Sequence, residues 1–96
     1  MKALVFAPNA VADIDGIYDH TEEFWGFEQA EDYTFSLRQA CRILDAGERR
    51  GRHVRGIKTG YLALTYRSHF IIYRETKTQI VIIRILHQRM NLSRHL

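Results

Sequence analysis

The second half of this sequence contains the residue types that cleavage of a phosphodiester would use. His87 exchanges a proton near neutral pH, Arg67, Arg74 and Arg84 supply fixed positive charge, and Glu48 or Glu75 offers a carboxylate base. Together they would activate a 2′-hydroxyl, stabilise a pentacovalent phosphorane and protonate the leaving oxygen. Strand alternation argues against their convergence. Along Gln79–His87, Arg84 falls with Ile82 and Leu86 on one face, while His87 falls with Ile83 and Ile85 on the other. His87 therefore reads as a structural residue, hydrogen-bonded near a strand end. His69 opens a strand after a two-residue turn and reads as a residue that fixes local backbone.

The five histidines are scattered over helix, loop, strand ends and tail, and no pair has the spacing of a metal site. No metal and no cofactor are expected. Cys41 is the single cysteine, which excludes an intramolecular disulfide and any zinc site built from several thiolates of one chain. Its place on an apolar helical stripe predicts an inert buried thiol. Trp25 and Tyr18 lie on a similar stripe and are expected to plug the core between helices and sheet. Asn91-Leu92-Ser93 matches a glycosylation sequon, which a cytoplasmic chain never presents to the machinery.

The elements that must position these residues follow from periodicity. Lys2 to Phe6 is a short apolar strand, and Pro8 suits the first turn of the helix that follows. Val11, Ile14, Ile17, Tyr18, Thr21, Phe24 and Trp25 recur at helical spacing, with Asp13, Asp15, Asp19, Glu22 and Glu23 filling an acidic outer face. Gly26 interrupts. A second helical pattern, Ala30, Tyr33, Leu37, Ala40, Cys41 and Leu44, runs to Gly47, where a left-handed residue would close it. The segment 48–53 reads as a basic loop. Beyond it, Val54–Lys58, Tyr61–Tyr66, His69–Glu75 and Gln79–His87 are β-rich runs separated by Thr59-Gly60, Arg67-Ser68 and Thr76-Lys77-Thr78, an antiparallel meander. The last run is apolar on both faces, as a central strand covered on both sides would be. The fold class is α+β: an N-terminal strand, a two-helix antiparallel hairpin, then an antiparallel β-meander.

With 96 residues there is room for one domain, 1–96. A hydrophobic fraction of 46% with 26% charged residues excludes disordered and low-complexity classes. No apolar run reaches the length of a membrane span, and Ala3–Phe6 is too short for a secretion signal, so the cytoplasm is the expected location. The net charge of +3 conceals a split. Residues 1–48 set three Lys/Arg against ten acids, and residues 49–96 set eleven Lys/Arg against Glu75 alone, so the halves carry −7 and +10. The basic half suits nucleic acid or an acidic protein partner.

Over nearly its whole length the chain resembles the ParE toxins of the ParE/RelE superfamily. The resemblance rests on Ala12-Asp13-Ile14 with Ile17-Tyr18, on Phe24-Trp25-Gly26 with Gln29-Ala30 and Tyr33, on Gly51-Arg52, and on Ile57 with Gly60-Tyr61. Its most specific part is Ser68–Arg74, then Ile82–Met90, closing with His95-Leu96. The chain departs from the family at Asn91, at Arg67, and at Gly47-Glu48-Arg49-Arg50 in place of a proline-containing loop. The resemblance implies the toxin of a type II toxin-antitoxin system: a non-enzymatic poison that inhibits DNA gyrase by direct binding and is neutralised by a ParD-like antitoxin. Neither membrane nor direct nucleic-acid binding by the toxin alone is then expected. The tail and the basic face of the sheet would carry recognition, through Arg49, Arg52, Arg67, Arg74, Arg84, His87, Arg89, Met90 and Leu96, with the tail from Gln88 onward dispensable for folding. RelE-type relatives supply the alternative, a ribosome-dependent mRNA endoribonuclease using His87, Arg67, Arg74 and Arg84.

Overall fold

The structure is a computed structural model that describes residues 2–53, 58–90 and 92–96. Strand β1 (Ala3–Phe6) leads into helix α1 (Pro8–Trp25) and helix α2 (Phe27–Asp45), followed by strands β2 (Leu62–Tyr66), β3 (His69–Glu75) and β4 (Gln79–His87) and a short helix α3 (Leu92–His95). The strands form one sheet in the order β1-β4-β3-β2. The meander β2–β4 is antiparallel, and β1 joins it parallel to β4. The run expected at Val54–Lys58 lies outside the described residues, apart from Lys58, which is not in a strand.

Local chemistry explains the breaks. Pro8 occupies the first turn of α1, where its missing N–H costs nothing. Gly26 has φ +92° and separates the two helices. After α2, Gly47 adopts φ +76° while its N–H bonds Leu44 O and the Glu48 N–H bonds Ile43 O, a Schellman closure.

The helices cover one face of the sheet. Ala10 and Ile14 of α1 and Leu37, Ala40, Cys41 and Leu44 of α2 pack on Leu62, Leu64, Ile71, Tyr73, Ile80, Ile82 and Ile85. Burial pushes the Cys41 thiol up to about 12, as an inert core residue requires. On the opposite face Ala63, Ile72 and Leu86 are covered by Leu92, with Tyr61, Phe70, Ile83 and Leu96 around them. Leu92 is only 7% exposed, so the tail completes a second core, and its removal would uncover Ala63, Ile72 and Leu86.

Two features shape the end of the sheet near His87. Ile72 pairs with Arg84 but Tyr73 pairs with Ile82, so Ile83 is an extra residue on β4, a β-bulge. The bulge exchanges the neighbours expected from strict alternation: Ile82 joins Ile85 in the helix-side core, and Ile83 joins Leu86 in the other. Beyond Ile82, moreover, β4 has lost β1 as a neighbour, because the chain has turned into α1. Asp13 of α1 fills that open edge. Its carboxylate accepts from Ile85 N–H at 2.8 Å and from Arg84 Nε and Nη2 at 2.8 and 2.9 Å. Asp13 thus faces inward, against the expectation that it belongs to the acidic outer face; it sits three residues after Ala10 and four before Ile17, on the packing stripe itself.

Four stability outcomes follow, each read by chemical or thermal denaturation. A Cβ on Gly51 would stand 2.7 Å from Ala63 O and 2.8 Å from the Tyr73 ring, so Gly51→Ala should cost about 1–3 kcal/mol. Gly16, with nothing within 4 Å, should instead gain about 0.5–1 kcal/mol as Gly16→Ala. Leu92→Ala should cost about 2 kcal/mol with the helix-side core intact. Asp13→Ala and Arg84→Met should each lose about 2–3 kcal/mol, and the double variant less than the sum, because the two residues share one network.

Candidate functional site

Where α1 and α2 lean over the end of the sheet they leave a groove of about 630 Å³. One wall is α1 from Ala12 to Trp25, with Gln29 and Tyr33 of α2; the other is the β2–β3 turn, His69, the end of β4, Met90 and His95. Four of the five histidines, His20, His69, His87 and His95, border it.

The β2–β3 turn is a tight two-residue connection that places Arg67 at φ +50°, a conformation that favours glycine. Its guanidinium carbon stands 5.5 and 5.4 Å from the ring centroids of Tyr33 and Tyr66, a double cation–π contact that offsets the backbone cost. Gln88 ties the turn to the end of β4: its Nε2 donates to Arg67 O at 2.7 Å and its backbone N–H to Ser68 O at 2.8 Å.

Next to Arg67, the β3–β4 register sets His69 against His87 with ring centroids 5.4 Å apart, nearly perpendicular. His69 Nδ1 is 2.8 Å from the Tyr33 hydroxyl, so the residue that seemed to serve local backbone instead joins the sheet to α2. Burial, with His87 beside it, lowers the affinity of His69 for a proton, against a smaller opposing effect of Asp13. Burial likewise pushes the Tyr33 phenol up, aided by Tyr66 and opposed by Arg67. His87 Nδ1 accepts the Arg89 N–H at 3.1 Å, the strand-end hydrogen bond that its position predicts. That bond fixes neutral His87 as the Nε2–H tautomer.

The candidate residues are distributed unevenly. Arg67, Arg84, His87 and Met90 border the groove. Arg84 and His87 do leave β4 on opposite sides, but Arg84 reaches over the open edge to Asp13, so the two border the same groove, contrary to the argument from alternation. That reach uses the Arg84 charge: the Asp13 hydrogen bonds hold the guanidinium more firmly protonated, and Nη1 donates to His95 O at 3.0 Å. Arg74 is exposed on β3 and lies outside the groove. Arg49 and Arg52 are exposed in the loop after α2, Arg89 is exposed just past β4, and Leu96 packs on the second core.

Neither proposed carboxylate base reaches the groove. Glu75 ends β3, roughly 20 Å along the strand from His69. There it binds Lys2 at 2.7 Å and Arg50 at 3.8 Å, and the Lys2 hydrogen bond holds its carboxyl below the usual range. Glu48 is exposed in the loop after α2. Among the described residues no group of three or more His, Cys, Asp or Glu is placed to hold a metal, and no helix is long and apolar enough to cross a membrane.

Sequence reasoning missed Tyr33, His20 and His95 as neighbours of the site, and it misplaced Trp25. Trp25 is 75% exposed at the mouth of the groove, flanked by Phe24 at 62% and Phe27 at 59%. The cause is length. Helix α1 starts level with Ile82, where Ala7 N–H bonds Ile82 O, and its eighteen residues run roughly 27 Å. The five residues of β4 left beyond Ile82 span only roughly 17 Å. The last turns of α1 therefore overhang the sheet, and the helical spacing of Trp25 carries no information about where the sheet ends.

The chain is similar to known proteins along almost all of its length. It is 39% identical over 93 residues to Toxin ParE1 of Mycobacterium tuberculosis, covering 96% of this chain and 95% of that protein. It is 34% identical over 96 residues to Toxin ParE1 of Caulobacter vibrioides, covering 100% and 99%. Among solved structures it resembles a chain of the chromosomal ParDE TA system from P. aeruginosa with a TM-score of 0.80 and 27% identity, covering 91% and 96%. The α+β arrangement of strand, helical hairpin and meander is thus a ParE/RelE-like fold. The family model described as the ParE toxin of the type II toxin-antitoxin system, parDE, matches residues 4–92, and the chain belongs to that family.

Proposed function

We propose that this toxin acts by contact and without bond chemistry of its own: it binds DNA gyrase and blocks it, and a ParD-like antitoxin neutralises it. The observation that carries this reading is the commitment of the groove's polar groups. Asp13 is the one acid bordering the groove among the described residues, and it is spent on Arg84 and the Ile85 N–H. His87 holds the Arg89 N–H, and His69 is tied to Tyr33. What the groove offers outward is an apolar mouth, Trp25 and Met90, beside the Arg67 cation. Such a surface takes an amphipathic segment with apolar anchors and acidic side chains, and a disordered antitoxin tail that folds on binding supplies one. The P. aeruginosa relative, described as a ParDE system, supports a partner of that kind. Arg49, Arg52, Arg74 and Arg89 remain exposed for the target, and the cytoplasm, where gyrase works, is the proposed location.

One observation favours a second reading, a RelE-like endoribonuclease. His69, His87 and Arg67 share one end of the groove, so a base, an acid and a cation lie within reach of one phosphate. Arg74 lies elsewhere, and Arg84 already serves Asp13.

Induction of the chain alone in bacteria separates the two. Growth should stop, with loss of negative supercoiling and a DNA-damage response while abundant messengers stay intact, and co-expression of the antitoxin should restore growth. Rapid cleavage at ribosome-occupied codons with DNA unaffected would instead establish the nuclease; undisturbed growth would refute both.

A further inference from the structure

Most of this protein's histidines converge on one groove, and the mechanism proposed above uses none of them as acid or base. Their surroundings are defined. Asp13 and His20 face the cluster from α1, Tyr33 from α2, Arg67 from the β2–β3 turn, His69 from β3, Arg84 and His87 from β4, and His95 from α3. Two of these charges, Asp13 and Arg84, cancel each other at 2.8 Å. Of the rest, Arg67 is a fixed cation, Tyr33 is a phenol, and His20, His69, His87 and His95 carry imidazoles.

The two central histidines differ in what a second proton would do. His87 uses Nδ1 to accept the Arg89 N–H, so a proton placed there breaks that bond and disturbs the turn after β4. His69 uses Nδ1 against the Tyr33 hydroxyl, a group that both donates and accepts. When His69 is neutral, Tyr33 donates to Nδ1; when it is charged, Nδ1–H donates to the Tyr33 oxygen. His69 can therefore take a proton without losing its partner.

We infer that the groove is a carboxylate-binding site coupled to a proton: an acidic side chain of the antitoxin segment docks against Arg67 and His87 Nε2–H, and His69 takes up a proton as it arrives. This deepens the antitoxin reading and rests on it. In the free chain, burial and the neighbouring His87 disfavour the charged form of His69. A carboxylate beside it reverses the balance, because an opposite charge at contact distance favours the charged form. The sign follows from linkage. Binding that takes up a proton strengthens as pH falls through the histidine range and weakens as it rises. The occupant is committed by charge complementarity: fixed positive charge at Arg67, imidazole N–H donors beside it, and an internal carboxylate already satisfied.

The test is calorimetry of the purified chain with its full-length ParD-like antitoxin at pH 6 and pH 8, each in two buffers of different ionisation enthalpy. Binding should be roughly five- to tenfold tighter at pH 6, with uptake of close to one proton at intermediate pH. Arg67→Gln should weaken binding about tenfold at both values. His69→Gln should remove the pH dependence, provided its thermal melt shows a folded chain. Tyr33→Phe keeps the ring under Arg67 but removes the acceptor for charged His69, so proton uptake should shrink while affinity at pH 8 stays within about threefold. Imidazole resonances in an NMR titration give an independent readout: the His69 midpoint should rise on complex formation. Equal affinity at both pH values with no proton uptake overturns this inference and leaves the antitoxin reading standing. Failure to form a complex at either pH overturns the antitoxin reading itself.

Discussion

Three hydrogen bonds to one carboxylate hold the functional end of this protein together. Asp13 closes the edge of β4 that β1 abandons, fixes the direction of Arg84, and anchors the second turn of α1 to the sheet. Because both side chains are mostly withdrawn from water, the pair is more than a surface ion pair, and losing either member would strand the other. The groove exists because α1 is held here, at its second turn, and is free of the sheet by its last.

The same interaction decides which chemistry the groove retains. A free Arg84 next to His87 and Arg67 would make a strong phosphate site; an Arg84 bound to Asp13 becomes part of the wall. What remains is a polar but largely satisfied pocket with apolar lips. That composition suits an amphipathic segment that folds as it binds, the occupant proposed above for Trp25, Met90 and Arg67. Arg67 itself sits where a glycine would be easier, and two tyrosine faces hold it there, so its charge is presented in a fixed place.

Much of the architecture was legible in the sequence. The strands His69–Glu75 and Gln79–His87 match the expected spans because tight polar turns bound strongly β-forming runs, and Gly26 and Gly47 mark the helix breaks because each needs a positive φ. Cys41 is buried as its stripe indicates. The illegible part is relational. The extra residue at Ile83 leaves no mark in composition, yet it changes which isoleucines line which core. Trp25 carries a core-like spacing but lies beyond the sheet, and Asp13 looks like one of many acids on a helix although it sits on the packing stripe. The partnership of Tyr33 with His69, 36 residues apart, depends on how the hairpin lies over the sheet, which periodicity does not encode.

The parallel pairing of β1 with β4 joins Ala3 to Gln79, across most of the chain, at a cost in loop-closure entropy. The helical hairpin and the three-stranded meander each join neighbouring segments, whereas β1 pairs across the longest sequence separation in the sheet. Closing that loop brings together two halves distant in sequence, an encounter much like the association of two proteins. Those halves carry −7 and +10, so the charge split that suggests an external partner also draws the molecule's own pieces together.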